Sequence, residues 1–428
     1  MSTLTTLYSP PVEDCPKPDT RHTSEPRRPD FESHAADALQ PNVLVRWAFY
    51  LSVLGIPFTR LYLPGTGERI GVTRMIQALI LGAILSQPRV CIRLMPVALF
   101  WFLAYCGWRL LSGLWFTPEL SSSWWPNTLD WLQFSLPWVW LMFNVLQFPT
   151  ISRRGMWALA WGCFLCASLQ IAGIGVVDVD NGIEARSSIF GENANVVGAT
   201  YAVALITLIG LGMLKGVALH QRLLLLPLIA VIGGGMAKTG SRTAVLILLT
   251  GIAVLLCQGR AFGWTKRIVI VVLIGAVLAG VISRIPTVMQ RFEKVASFKT
   301  QQQEPRARMA PVLWEMFLRS PLYGSGPDDY QLELTRRTMP YLLKDQRLIA
   351  AHNLALLLLV ETGIIGFLLF ASGLKAGLVS AWKARLKPCS SLPLALILPL
   401  AIAGLTVSNP SHDLVFWFAM AYALAGTA

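Results

Sequence analysis

The chain has 428 residues, of which 54% are hydrophobic and only 14% charged, with a mean hydropathy of +0.55. Soluble domains carry charge on about a quarter of their residues, so these values exclude an ordinary soluble enzyme and predict an integral membrane protein. The net charge of +13 does not indicate nucleic acid, because no basic stripe with interleaved aromatics lies in a polar segment; much of the charge flanks apolar runs, as membrane topology demands.

Residues 1–42 are rich in Pro, Ser, Thr, Asp and Arg and have almost no apolar periodicity, which predicts a disordered cytoplasmic tail. They lack the basic n-region and apolar h-region of a cleaved signal peptide. The rest, 43–428, reads as one membrane domain. At about 20 apolar residues per crossing, spans are expected near 43–62, 73–87, 91–112, 129–149, 156–177, 195–214, 222–238, 243–258, 267–286, 352–373, 391–407 and 413–427, twelve in all. The fold expected is therefore all-α, a polytopic membrane helix bundle of about 12 transmembrane helices. Cys163 and Cys166 form a C-x-x-C inside an apolar run, where they read as small packing residues.

With the N-terminus in the cytoplasm, the connections after even-numbered spans hold Arg89, Arg153, Arg154, Lys215, Arg222, Arg260, Lys266, Arg267, Lys375, Lys383, Arg385 and Lys387. The positive-inside rule is obeyed at each turn. The opposite connections are poorer in cations, except for a polar loop over 287–350 with ten Lys or Arg against seven Asp or Glu. Loops beyond about 60 residues translocate regardless of charge. Its stretches RMAPVLWEMFLRS and YQLELTRRTMPYLLKDQ are amphipathic with helical spacing, and Pro340 predicts a bend or break. A helical periplasmic loop domain between the ninth and tenth spans is expected.

The polar residues worth explaining gather on those outward connections: Arg186, Arg242, Arg306, Arg308 and His352. Arginine near hydrocarbon is costly and faces a bundle interior or an aqueous cavity, and its planar guanidinium is a bidentate phosphate ligand. Several converging arginines would suit a pyrophosphate whose lipid tail lies between helices; taken singly, each could instead snorkel or pair with a carboxylate, as Arg186 with Glu184 or Glu192. His352, whose side chain ordinarily titrates near pH 6.5, can take a proton from a hydroxyl. Asn353 follows it. Glu361, nine residues on, falls on another face about two and a half turns away, and reads as a buried residue bonding a neighbouring helix. Gly363 and Gly366 would permit close helix packing. Asp413 opens the last span beside His412 and could orient a catalytic group or pair with an arginine. Asp178 and Asp180 form a D-x-D that some glycosyltransferases use to hold a metal. The stretch YGSGPDDY, 323–330, lacks the G-K-[ST] of a P-loop and reads as a turn closing the outer cap.

Taken together, Arg186 with Gly191 and Asn195, the Ser241–Arg242 pair opening a span, P-L-x-G-x-G-P from Pro321 to Pro327, and H-N-x-x-L followed by E-x-G-x-x-G from His352 to Gly366 resemble the O-antigen ligase and polymerase superfamily. The chain departs from that pattern at Ala194, where proline is usual, and neither Arg306 nor Arg308 has the tryptophan that often follows four residues on. The resemblance implies an inverting glycosyltransferase that draws glycan from an undecaprenyl pyrophosphate donor, without nucleotide, metal or other cofactor. On that pattern His352 would be the catalytic base, Arg186, Arg242 and Arg306 or Arg308 would bind the pyrophosphate, and Asn195 and Asn353 would support them, with Asp413, outside the motifs, as a further support read from its position alone. In the ligase branch the acceptor is a lipid A-core sugar, the site faces the periplasm, and the enzyme sits in the bacterial inner membrane. The polymerase and protein O-oligosaccharyltransferase branches are alternatives, as is a transporter of lipid-linked glycan; a transporter would place its polar groups through the bilayer midplane.

Overall fold

The computed structural model describes residues 40–62, 71–116, 128–178, 187–213, 219–258, 265, 305–327, 330–345, 348–349, 351–385, 391–405 and 413–426. The expected tail up to residue 39, the ninth span near 267–286, Arg186 and His412 lie outside the described residues.

The described chain is mostly helical and forms a bundle around an apolar core. α1 (Val43–Leu54) starts at Asn42, whose Oδ1 accepts from the Val45 backbone N–H at 2.8 Å. α2 (Val72–Ser86) and the short α3 (Pro88–Cys91) precede α4 (Val97–Phe116). The expected span 91–112 is thus displaced toward the C-terminus. Pro96 cannot continue a helix from α3 but suits the start of α4.

After residues 128–130, a π-helical turn over Trp131–Ser135 runs into α5 (Leu136–Leu146), with Pro137 in its first turn. A proline there removes one backbone donor and crowds the preceding turn, which is where wider turns arise. α6 (Pro149–Ile171) starts earlier than the sequence periodicity indicates, because Pro149 opens it, and it ends before Gly173 and Gly175, both at positive φ. Arg153 and Arg154 therefore sit within the first turns of α6 rather than in a connection.

The expected all-α fold needs one correction. β1 (Val176–Asp178) and β2 (Ser187–Ile189) pair antiparallel, with Val176 opposite Ile189 and Asp178 opposite Ser187. β-branched residues on both sides favour the pleat over another helical turn.

α7 (Ala194–Gly212), α8 (Leu219–Thr239) and α9 (Arg242–Gln258) form the next layer, and α7 is almost wholly enclosed. Two amphipathic helices follow, α10 (Pro305–Arg319) and α11 (Tyr330–Thr338), where the polar loop predicted them. α11 stops at Thr338, and Pro340 opens a 3-10 turn to Asp345, the break expected there.

α12 (Leu354–Ala384), α13 (Leu392–Gly404) and α14 (Leu414–Ala425) complete the bundle. Phe102 of α4 meets Phe370 of α12 and Trp417 of α14 edge to face, at ring-centroid distances of 5.3 and 5.0 Å, a favoured aromatic geometry. Cys163 and Cys166 are buried and turn to different neighbours, the carbonyls of Thr200 and Pro57, which fits a packing role.

Among the described residues four helices, 97–115, 194–212, 222–239 and 354–384, are long and apolar enough to cross a membrane by length and composition. Together with the shorter apolar helices they make an all-α membrane bundle with a small hairpin.

Candidate functional site

The hairpin marks one end of the bundle. The fully buried Gln170, near the end of α6, donates from Nε2 to the Ser187 carbonyl at 3.2 Å and to Ser187 Oγ at 3.0 Å, and accepts from Tyr201 Oη at 3.1 Å. Ser187 Oγ lies 3.1 Å from the Lys238 carbonyl, and Lys238 Nζ reaches the carbonyls of Gln170 and Ile171 at 3.4 and 3.2 Å. A lysine on the last carbonyls of a helix offsets its negative end. The ends of α6 and α8 and the strand that follows Arg186 in sequence are thereby stitched together.

The starts of α7 and α9 meet beside them. Asn193 caps α7, its Oδ1 accepting from the Asn195 N–H at 2.9 Å. Asn195 Oδ1 in turn accepts from Ser241 Oγ at 3.0 Å, and Ser241 Oγ accepts from the Ala244 N–H at 3.3 Å. Gly198 makes this approach possible, since a Cβ there would lie 2.9 Å from both Ser241 Cβ and Thr239 Oγ1. Arg242 is the next residue, exposed in the first turn of α9.

A cation in a first turn opposes the helix dipole, and no acidic residue in that turn offsets it. Arg306 and Arg308 are the second and fourth residues of α10, again without an acidic residue in that first turn. Helix stability alone would not select arginine there. These positions add positive charge to helix ends that already attract anions.

Asp413, which stands at the N-cap of α14 and outside the helix, belongs to the same end. Burial and the nearby Glu192 carboxylate push its own carboxyl well above the ordinary range, with Arg60 opposing them. Glu192 accepts from Thr59 Oγ1 at 3.0 Å and lies 3.6 Å from Arg60 Nε. Arg60 was not singled out in the sequence; its signal is a cation at the end of the first apolar run.

His352 and Asn353 belong to a second group. Tyr330 Oη accepts from the Ala351 N–H at 3.3 Å, and Thr335 Oγ1 accepts from the Ile349 N–H at 2.9 Å, so α11 guides the chain into α12. Asn353 is the N-cap of α12, its Oδ1 accepting from the Leu356 N–H at 3.1 Å. Its support is thus a cap that holds the partly buried His352 at the head of the helix. α12 and α14 run in the same direction, with Gly377 against Met420 and Ala384 against Gly426, α12 reaching that level 23 residues after its start (354 to 377) and α14 six after its own (414 to 420).

Glu361 is buried as expected and bonds a neighbouring helix: its Oε2 lies 2.6 Å from Arg109 Nη1 of α4, both side chains being enclosed. Arg109 was missed in the sequence, although it is the single ionised residue of α4. Gly366 packs closely, with Trp108 Cδ1 3.0 Å from where a Cβ would sit. Gly363 does something else: its φ of 66° and ψ of −169° break α12. The Pro321–Gly326 turn docks there rather than cradling phosphate, with Ser325 and Gly326 donating to the carbonyls of Val360 and Glu361.

Asp178 ends β1, and Asp180 lies outside the described residues. Among the described residues no group of three or more His, Cys, Asp or Glu is placed to hold a metal ion.

The contacts named above assemble the candidate residues into two groups, Asn195 with Arg242 and Asp413 near Glu192, and His352 with Asn353. His352 stands beyond the break in α12, so the angle of that break sets its approach to the first group.

Comparison with curated proteins finds no match. Residues 226–371 match the family model described as O-antigen ligase, a stretch running from α8 through Arg242 and His352 into α12. That match covers about a third of the chain and supports membership of the O-antigen ligase and polymerase superfamily.

Proposed function

We propose that the chain is an inverting, metal-independent glycosyltransferase that moves O-antigen polysaccharide from undecaprenyl pyrophosphate to a sugar hydroxyl of lipid A-core, a step of lipopolysaccharide biosynthesis. The observation that supports this reading is the crowding of the Arg242 segment, Asn195, Asp413 and the strand after Arg186 at one end of the bundle, with α12, which His352 precedes, running in the same direction as α14. The family match spans Arg242 to His352.

In this mechanism His352 removes the acceptor hydroxyl proton as the oxygen attacks the anomeric carbon opposite the leaving group. Arg186, Arg242 and Arg306 or Arg308 bind the pyrophosphate and offset the charge that develops as it departs. Arg242 is suited to this by its place in a first helical turn, where its charge and the helix dipole add.

In the bilayer the bundle would have twelve spans in the bacterial inner membrane, with the hairpin, α10, α11 and His352 facing the periplasm. Its partners are then the lipid-linked donor, the lipid A-core acceptor and the surrounding lipid, and no nucleic acid. Polymerase is the second reading, since the matched family belongs to a superfamily that includes polymerases.

Purified protein mixed with lipid-linked glycan and lipid A-core is expected to give ligated product in EDTA, with His352→Ala inactive. Activity lost in EDTA and restored by a divalent ion would shift the mechanism to Asp178 and Asp180. Longer lipid-linked chains formed from donor alone would identify a polymerase.

A further inference from the structure

A helix interrupted at membrane depth must satisfy its freed backbone groups within the protein. At Gly363 the structure does so with groups from two distant segments. The Val360 carbonyl accepts from the Ser325 N–H at 2.8 Å and from Ser325 Oγ at 3.0 Å, and the Glu361 carbonyl accepts from the Gly326 N–H at 3.1 Å. The Ile364 N–H donates to the Pro321 carbonyl at 2.8 Å. From α4, Trp108 Nε1 donates to the Thr362 carbonyl at 2.9 Å. The Pro321–Gly326 turn thus stands in for the missing helical turn, and the contact leaves no room for a side chain at Gly363, whose Cβ would collide with the Leu322 carbonyl.

The buried ion pair sits in the middle of this joint. Glu361 is two residues before the break, and Arg109 adds a bond from Nε to Thr128 Oγ1 at 3.1 Å. The neighbouring Trp108 stacks on Tyr323 of the docked turn at 5.9 Å, and Ser112 Oγ reaches the Tyr323 carbonyl at 3.4 Å. One face of α4 therefore grips both the half-helix and the turn. Apolar packing of similar volume would fill this space without desolvating two charges, and buried ion pairs are weak stabilisers for that reason. What a short charge-assisted bond adds is direction, because it is satisfied at one register only.

We propose that Arg109 and Glu361 are positioning residues that fix the direction of the half-helix Leu354–Thr362 at its break, and with it the place of His352 against the arginine-bearing end of the bundle. This rests on the reading of His352 as the base. Neither residue touches the reacting atoms; each acts through the backbone of the half-helix.

The test uses the full chain in detergent or lipid, with the double variant Arg109→Leu with Glu361→Leu, and with Arg109→Lys, which keeps a charged partner. Turnover with lipid-linked donor and lipid A-core is measured with amide hydrogen exchange over 354–362 and 364–384. In the double variant kcat is expected to fall roughly 10- to 100-fold, the scale of an ångström-sized misplacement, with the KM for donor within about two-fold, as for an orientation effect rather than lost binding. Exchange should rise over 354–362 alone, and Arg109→Lys should recover part of kcat. Unchanged kcat, or unchanged exchange over 354–362, overturns the proposal. If the double variant does not fold, Glu361→Gln, which keeps the volume, is read by the same two measurements. An active His352→Ala would instead sink the base assignment, and the exchange data would still judge the joint.

Discussion

At the residue scale, placement separates roles that composition could not. Arg242 pairs a guanidinium with the start of α9, and a lysine there would keep the charge but lose the two-pronged geometry that grips a phosphate. Arg242→Lys is expected to lower turnover by roughly ten-fold or more, short of the about 10²–10³-fold seen when an oxyanion donor is removed outright; near-normal donor affinity and rate would remove Arg242 from the pyrophosphate site. Asp413 makes a different prediction. Its folded-state pKa is raised by burial and by Glu192, so the folded protein holds that proton more tightly than the unfolded chain does. The stability it contributes is complete below the ordinary aspartate pKa of about 3.9 and is lost as pH rises through the raised folded value. Melting followed against pH in detergent should therefore fall across that interval in the native protein and flatten in Asp413→Asn. A parallel fall in both would mean that other groups set the dependence. The sequence exposed the arginines and His352 as oddities in an apolar chain, and it marked Glu361 as buried. It could not name Arg109 as the partner, because the two are 252 residues apart and nothing local couples them. The signal would have been a matching of lone charges had the run begun after Pro96, since Arg109 is the single ionised residue of 97–116 and Glu361 of 352–373.

At the element scale, hydrophobic runs found the helices well, since an apolar run of span length has few alternatives. Their ends were set by chemistry that the runs do not contain: Pro149 and Pro96 moved two starts, and Gly173 and Gly175 closed α6. The least legible element was the break in α12. G-x-x-G in an apolar run reads as a close-packing motif, and at Gly366 it is one. At Gly363 the backbone instead adopts a φ of 66° with ψ of −169°, a region that costs a residue with a Cβ about 1–3 kcal/mol. Gly363→Ala should lose at least that amount, because its Cβ also meets the Leu322 carbonyl. Gly366→Ala faces Thr362 and Trp108, side chains that can shift, and should lose less. Thermal unfolding of the two variants checks the order; equal losses would mean that Gly363 is only a packing residue. The hairpin was also hidden, because three residues per strand are too few for a period-two pattern to stand out.

At the scale of the whole molecule, the placement of charge along the chain and the contacts in the fold bear on the division of ends by independent routes. Alternating the loops by their cations puts the segments around Arg186, Arg242, His352 and Asp413 on one side. The bonds from Gln170, Lys238, Ser241 and Thr59 gather the first and second of these segments at one end of the bundle, the Glu192 carboxylate brings Asp413 beside them, and α12 runs in the same direction as α14. The positive-inside rule assigns that end to the periplasm, and this proposed orientation can be tested without any substrate. In a variant whose native cysteines are serine, Arg336→Cys places an exposed thiol on α11, which the proposed topology puts in the periplasm, and Arg153→Cys places one at the start of α6, the end of that helix away from the hairpin. A membrane-impermeant maleimide added to intact spheroplasts should label the cysteine at 336 and reach the one at 153 only after permeabilisation. The reverse pattern would put His352 and the arginines in the cytoplasm, where a periplasmic acceptor could not meet them, and the ligase reading would fall even if the fold and the family stood.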